Sequence, residues 1–277
     1  MSHIELTLSP VSNILSDLLV AELTALGFTG FLEEENQLKA YVPLTDFDAA
    51  GMGEWASLRG LDMVWEALPE QNWNAAWEAS FEPVVVEDKV GIRADFHPPF
   101  LDLAQELVIT PKMSFGTGHH GTTHGMISLM LKLDLKQKRV FDFGTGTGIL
   151  AILAEKLGAN QVLAVDNDDW SIRNAAENIA RNGCQTIQLE EVSDQYAPPG
   201  PFEVVLANVN RHILEAKGHV LVNALAPGGQ VLASGLLTED EEPMKTFFTA
   251  KGLFWQETKL CGNWIAMCFN AAQANVK

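Results

Sequence analysis

Between Arg139 and Ser234 the chain alternates apolar, strand-like segments with helical patterns, and this alternation constrains the fold more than any other feature. The strand-like segments are Arg139–Phe143, Gln161–Val165, Thr186–Glu190, Glu203–Ala207 and Gln230–Ser234. Repeated βα units build a parallel sheet with helices on both faces. Two further strand-like segments, Leu253–Leu260 and Trp264–Phe269, are separated by only three residues. This spacing predicts a hairpin, so the final strand should run antiparallel to its neighbour.

The first 70 residues have a different pattern, which predicts a small α+β domain. Strand-like Ile4–Leu8 precedes a helix that is capped by Ser12 or Asn13 and stopped by Gly27. One face of this helix carries Ile14, Leu18, Leu19, Leu23 and Leu26. A hairpin of Phe28–Glu34 and Gln37–Val42, a helix near Asp46–Leu58 and a strand Leu61–Leu68 follow. The order βαββαβ is that of a ferredoxin-like domain. We therefore predict a small α+β domain at residues 1–70 and a second, larger domain at residues 83–277.

A helical connector is predicted between these domains, at residues 71–82. Trp73 and Trp77 lie four residues apart, which places both on one face of such a helix. Aromatic side chains mostly contribute burial, so packing against a domain is favoured over contact with a substrate.

Charge and cysteine content exclude several classes of protein. The formal net charge is −18, which argues against broad, non-specific contact with DNA and favours either a cationic partner or simply solubility. In residues 1–70, twelve acidic side chains face only Lys39 and Arg59 as cations. Three scattered cysteines do not make a disulfide framework. The sequence shows no signal segment and no membrane-length apolar run, which predicts a soluble, cytoplasmic protein.

The first glycine cluster, Gly144-Thr145-Gly146-Thr147-Gly148, lies between a strand and a helix. Glycines there let backbone N–H groups approach a ligand beside a helix N-terminus. Asp166 ends the next strand, where a carboxylate can accept both hydroxyls of an adenosine ribose. Read from Gly146, the segment also satisfies G-x-G-x-x-A, so a nicotinamide-dependent oxidoreductase is an alternative.

Asp142, two residues before Gly144, separates these two alternatives. A carboxylate near the glycine loop repels a pyrophosphate but suits the sulfonium and ammonium groups of S-adenosylmethionine. The competing interpretation is an exposed carboxylate at the end of a strand, with no role in binding.

Two further clusters follow the same logic. Asn208 ends the fourth strand of the repeat, near the expected change of strand order. Its amide either contacts a ligand or only forms hydrogen bonds with the backbone of the turn that follows the strand. The segment Ser114–His124 contains Gly116 and Gly118 and the histidines at positions 119, 120 and 124. These histidines lack carboxylate support at metal-ligand spacing, so we expect no metal site.

Together, the segments FGTGHHGTT, DFGTGTGILAILAEKLGA, AVDND and LANV resemble the ribosomal protein L11 methyltransferase (PrmA) family in order and spacing. The resemblance extends from about Asn72 to Phe269, and NWNAAWEASFEP is similar to the segment that joins the two domains in that family. One departure is Gly121, at a position where the family often has proline.

The resemblance implies a seven-stranded Rossmann-like methyltransferase sheet and S-adenosylmethionine as cofactor. Its implied cofactor contacts are Thr123, Gly144, Asp166 and Asn208. The implied reaction is methylation of lysine ε-amines and the N-terminal amine of a large-subunit ribosomal protein, L11. No side chain in the sequence stands out as a general base, and none is assigned. A non-enzymatic ribosome-assembly module with a vestigial pocket is a second alternative to this reading.

Overall fold

The computed structural model describes residues 3–68, 81–110, 112 and 114–273. The chain forms two compact units, Met1–Phe81 and Glu82–Lys277. Most of the predicted connector, including Trp73 and Trp77, lies outside the described residues. No helix in the described part of the chain combines the length and the apolarity needed to cross a membrane.

The N-terminal unit has the predicted βαββαβ order. Its elements are β1 (His3–Ser9), α1 (Asn13–Ala25), β2 (Gly30–Glu34), β3 (Gln37–Pro43), α2 (Ala49–Ser57) and β4 (Asp62–Leu68). The antiparallel sheet has the strand order β2-β3-β1-β4, which is the ferredoxin-like arrangement. Alternate residues of β1 and β3 are buried with α1 and α2, because side chains alternate across a strand.

One prediction about this unit was partly wrong. Leu19 and Leu23 of α1 are buried as expected, but Leu18 is 56% exposed and Leu26 is 48% exposed. Leu18 and Leu26 therefore lie at the edges of the buried stripe of this helix, where about half of each side chain remains exposed.

The second unit contains the predicted βα repeat. Its elements are β5 (Val84–Val86), β6 (Val90–Arg93), β7 (Gln105–Val108), α3 (Gly121–Met130), β8 (Arg139–Phe143), α4 (Ile149–Lys156), β9 (Gln161–Asp166), α5 (Asp169–Arg181), β10 (Ile187–Glu191), β11 (Phe202–Asn208), α6 (Arg211–Asn223), β12 (Leu225–Leu237), α7 (Glu241–Thr249), β13 (Leu253–Cys261) and β14 (Trp264–Ala271). Strands β5, β6 and β7 form a separate three-stranded sheet.

The large sheet has seven strands in the order β10-β9-β8-β11-β12-β14-β13. The pairs from β10 to β12 are parallel, whereas β14 runs antiparallel to both β12 and β13, which confirms the predicted hairpin. Apolar clusters cover both faces, as expected when helices lie on both sides. The strand order reverses at β8, so a crevice opens beyond the carboxyl ends of β8 and β11.

Candidate functional site

The turn between β8 and α4 is made by three glycines in the left-handed region of backbone conformation. Gly144, Gly146 and Gly148 have φ values of 71°, 55° and 81°. A Cβ atom on Gly146 would lie 2.4 Å from the carbonyl oxygen of Phe115, so only glycine fits. The Gly146 N–H donates to Asp166 Oδ2 at 2.9 Å. The turn and the end of β9 are therefore joined directly.

A cavity of about 180 Å³ opens beside this turn, on the side of β9 and β10. Its wall is largely apolar, and it combines residues that follow three strands with residues of α6. The lining includes Phe143, Gly144, Val165, Asp166, Val192, Ser193, Asp194, Tyr196, Val209, His212, Ile213 and Lys217. A flat, apolar ring system with a polar edge suits such a wall.

A second cavity, of about 390 Å³, lies on the side of β11 and α3. Its lining includes Phe115, His120, Thr122, Gly144, Gly146, Asp166, Ser171, Asn208, Asn210, Gly235 and Trp264. Gly144 and Asp166 line both cavities. The structure thus brings these two predicted residues together at the junction of the two spaces, with Asn208 in the second.

Two polar atoms near the second cavity are buried and have no hydrogen-bond partner among the described residues. They are Thr123 Oγ1 and Asn208 Oδ1. Thr123 lines neither of these two cavities, but its neighbour Thr122 lines the second. Buried polar atoms are costly unless they are hydrogen-bonded, so both atoms suit a polar ligand held in this crevice. The residues present fit an adenosyl amino-acid cofactor.

Asp142 is 1% exposed, so its interpretation as an exposed strand-end carboxylate was wrong. The Thr145 hydroxyl donates to Asp142 Oδ2 at 2.6 Å. Burial, together with the nearby Asp166 carboxylate, raises the pKa of the Asp142 carboxyl to about 7, against the lowering effect of the Thr145 hydrogen bond. The side chain lies behind the glycine loop and does not line either cavity.

The three histidines of the upstream segment have separate structural surroundings. His120 precedes α3, and its Nδ1 accepts from the Thr122 N–H at 3.3 Å. His124 hydrogen-bonds to the backbone of Gly118, and burial lowers the pKa of its imidazole. His119 is exposed, and its Nε2 lies 2.9 Å from the carbonyl oxygen of Glu82. Among the described residues, no group of three or more His, Cys, Asp or Glu is placed to hold a metal ion.

Gly121 has a clear packing reason in this chain. A Cβ atom at this position would lie 2.8 Å from the carbonyl oxygen of Cys261 in the β13–β14 hairpin. A larger residue would push the hairpin, and with it Trp264, away from α3. The departure from the family pattern is therefore matched by close packing against this hairpin.

Comparison with known proteins gives one consistent result. Residues 15–272 match the family model described as ribosomal protein L11 methyltransferase (PrmA). A ribosomal protein L11 methyltransferase of Porphyromonas gingivalis is 44% identical over 262 residues, which cover 91% of this chain and 90% of the relative. One of Phocaeicola vulgatus is 35% identical and covers 97% and 99% of the two chains.

The chain belongs to the ribosomal protein L11 methyltransferase (PrmA) family.

Solved structures agree with this assignment. The crystal structure of a ribosomal protein L11 methylase from Lactobacillus delbrueckii subsp. bulgaricus superposes with a TM-score of 0.63 and 30% identity, covering 70% of this chain and all of that one. A methyltransferase from Pyrococcus furiosus, at 19% identity and a TM-score of 0.51, shares the fold and covers 60% of this chain and 89% of its own. The oxidoreductase alternative was therefore wrong. The family and fold imply the use of S-adenosylmethionine.

Sequence reasoning missed most residues of the first cavity. Val192, Ser193 and Asp194 follow β10, and the rule that ligands bind beyond the carboxyl ends of parallel strands could have found them. His212 and Lys217 of α6 and Trp264 of the hairpin left no comparable signal, because their position depends on how distant elements pack.

The buried carboxyl of Asp142 makes a testable prediction about stability. In the folded chain the Asp142 carboxyl keeps its proton up to about pH 7, whereas in the unfolded chain it releases this proton near pH ~3.9. The folded state thus binds more protons in this window, and the contribution of Asp142 to the free energy of unfolding falls as pH rises through it. Asp142→Asn has no proton to lose, so raising the pH from about 5 to about 8 should shift relative stability towards the variant.

Urea unfolding of both proteins at the two pH values measures this shift. Asp169→Asn is the control, because Asp169 is an exposed carboxylate at the start of α5. The prediction is wrong if the stability difference between Asp142→Asn and the wild type is the same at both pH values.

Proposed function

We propose that this protein transfers methyl groups from S-adenosylmethionine to amino groups of ribosomal protein L11, both lysine ε-amines and the N-terminal amine. The observation that carries the proposal is the junction of two cavities at Gly144 and Asp166, next to the unpartnered atoms Thr123 Oγ1 and Asn208 Oδ1. Relatives that match nearly the whole length of the chain are named ribosomal protein L11 methyltransferases.

The two cavities suggest how the cofactor is held. The apolar first cavity suits the adenine ring, and Asp166 at the junction suits the two ribose hydroxyls. Gly144, Thr123 and Asn208 then contact the amino-acid end in and beside the second cavity. When bound, the cofactor supplies a methyl group on a positively charged sulfur, which a neutral amine can attack.

The residues of the second cavity must favour a neutral amine. A lysine with a pKa of ~10.4 pays roughly 4.6 kcal/mol to lose its proton at pH 7. His120 lines the cavity, but its Nδ1 already accepts from the backbone of Thr122, which leaves the proton on Nε2 in the neutral ring. Phe115 and Trp264 instead provide apolar walls, which lower the pKa of an ammonium group by desolvation. Asn208 orients the amine for attack.

The experiment that tests this proposal follows the intact mass of purified L11 during incubation with the enzyme and S-adenosylmethionine. The wild type should add whole methyl groups to the substrate. Asp166→Ala should weaken cofactor binding by on the order of 1.5–3 kcal/mol, the range for hydrogen bonds to a charged group, and should slow methylation at limiting cofactor.

Asp169→Ala is the matched control. It removes the same charge three residues after Asp166, from a side chain that forms an exposed ion pair with Arg173. Its cofactor affinity, measured by calorimetry, should equal that of the wild type. Equal affinities for Asp166→Ala and Asp169→Ala would refute the role of Asp166. Cofactor binding without any change in the mass of L11 would favour an assembly module with a vestigial pocket.

We further propose that residues 1–70 recognise the protein substrate and that residues 83–277 bind the cofactor and carry out methyl transfer. Residues 71–82 connect these two domains. All residues that line the two cavities lie in the second unit. In the first unit, both cations are neutralised by ion pairs: Lys39 with Glu5 and Glu34, and Arg59 with Glu22. The remaining acidic side chains give this unit a negative field that suits a lysine-bearing partner.

The sheet of the first unit also offers a surface. On the face opposite α1 and α2, one row of paired residues runs Leu32, Lys39, Thr7 and Val64. Val64 is 68% exposed and Leu32 is 48% exposed. Apolar side chains at both ends of a row whose middle residues, Lys39 and Thr7, are polar give the mixture of apolar and polar contacts that is typical of protein interfaces.

Removing charge near the hairpin turn tests the recognition role. The triple variant Glu33→Gln, Glu34→Gln and Glu35→Gln keeps hydrogen-bonding capacity, including that of Glu33 towards Ser16 at 2.8 Å. It should slow association with L11 several-fold at low salt, and the difference should shrink at high salt because exposed charges are screened. Cofactor affinity and the rate at saturating L11 should not change.

The matched control removes three exposed acidic charges from the second unit, at Asp102, Asp134 and Glu239. Stopped-flow association rates at two salt concentrations separate local recognition from net charge. If both triple variants slow association equally, the N-terminal unit has no special part in recognition.

A further inference from the structure

Helix α5 and the residue that caps its C-terminal end carry three asparagines at a spacing of four residues, at positions 174, 178 and 182. Asn178 is fully buried, at 0% exposure. A buried amide is costly unless its donors and acceptor are satisfied, so its hydrogen bonds show what this residue is built to hold.

The amide of Asn178 connects two segments that are far apart in sequence. Its Nδ2 donates to the carbonyl oxygen of Thr147 in the glycine loop at 2.9 Å. Its Oδ1 accepts from the backbone N–H of Thr110, just beyond β7, at 3.0 Å. One side chain thus fixes the glycine loop relative to the chain that leads into the upstream loop at residues 114–118.

Thr147 holds the same upstream loop from the other side. Its N–H donates to the carbonyl oxygen of Phe115 at 3.0 Å, and its hydroxyl donates to that of Gly116 at 2.6 Å. Phe115 lines the second cavity, so the distance between the two loops determines the width of that cavity.

We propose that Asn178 is a positioning residue for cofactor binding, which acts through the backbone of Thr147 and Thr110 without touching the cofactor. By joining the two loops, the amide keeps Phe115 and the glycine turn at the separation that the cofactor requires. This inference rests on the cofactor site of the proposed function. Misplacement of binding groups by about 1 Å costs on the order of 100-fold, so a buried hydrogen bond behind the loop matters.

Asn182, one turn along the same helix, provides the matched control. Its side chain accepts from the Val108 N–H at 3.0 Å and donates to the Val108 carbonyl at 2.8 Å. It therefore holds β7 with the same chemistry, but none of its hydrogen bonds in the described residues reaches the glycine loop. If substitution of Asn178 weakens cofactor binding and substitution of Asn182 does not, the effect comes from cofactor positioning and not from a general loss of stability.

The test compares Asn178→Leu with Asn182→Leu in the full-length enzyme. Calorimetry with S-adenosylmethionine should give a Kd raised on the order of 10- to 100-fold for Asn178→Leu and unchanged for Asn182→Leu. In steady-state assays, Asn178→Leu should raise KM for the cofactor and leave KM for L11 as in the wild type. Urea unfolding records the stability of each variant.

Two further variants keep the inference falsifiable if Asn178→Leu does not fold. Asn178→Asp retains the acceptor for Thr110 but, when ionised, cannot donate to Thr147, so it should also raise the cofactor Kd. Thr147→Val removes only the hydroxyl that holds Gly116 and should act in the same direction, less than additively with Asn178→Asp.

An unchanged cofactor Kd in the Asn178 variants, or an equal rise in Asn182→Leu, would overturn the inference. A wild-type enzyme that does not bind S-adenosylmethionine would instead contradict the proposed function on which the inference rests.

Discussion

The turn from β8 into α4 is made by a backbone in the left-handed region, which favours glycine, and the site is arranged around it. Gly144, Gly146 and Gly148 all have positive φ, and the N–H groups of Gly144 and Thr145 both donate to the carbonyl oxygen of Val165 at 2.9 Å. These bonds hold the turn against the end of β9. Because Gly146 has no Cβ, the carbonyl of Phe115 can approach, and two loops from distant parts of the chain come into contact.

The electrostatics of this turn explain why glycine spacing alone was ambiguous. Asp142 and Asp166 place two carboxyl groups near one glycine loop, and burial, with a smaller contribution from the Asp166 carboxylate, raises the pKa of Asp142 to about 7. A pyrophosphate would add further negative charge to this region, whereas a sulfonium and an ammonium group would not. This charge agrees with a methyl-donating cofactor, and the family assignment supports the same choice independently.

How much of this could be read from the sequence depended on whether a feature is local. The βα repeat, the terminal hairpin and the small βαββαβ unit follow from periodicity and turn residues, and the structure confirms them. Asp166 and Asn208 could be predicted as candidates because each ends a strand. The hydrogen bonds of Asn178, the positions of Lys217 and Trp264 in the cavity walls and the burial of Asp142 depend on packing between distant elements. The predicted burial of Leu18 was wrong for the same reason, since an apolar pattern in the sequence does not show how wide the surface is against which the helix packs.

In the proposed complex, one cofactor spans both cavities with its ribose at their junction. A crystal structure of the complex with S-adenosylmethionine tests this arrangement. We predict that both ribose hydroxyls lie within hydrogen-bond distance of the Asp166 carboxylate, with adenine beside Val192 and the amino-acid end between Gly144 and Asn208. A cofactor bound entirely within one cavity, with its ribose away from Asp166, would contradict the account.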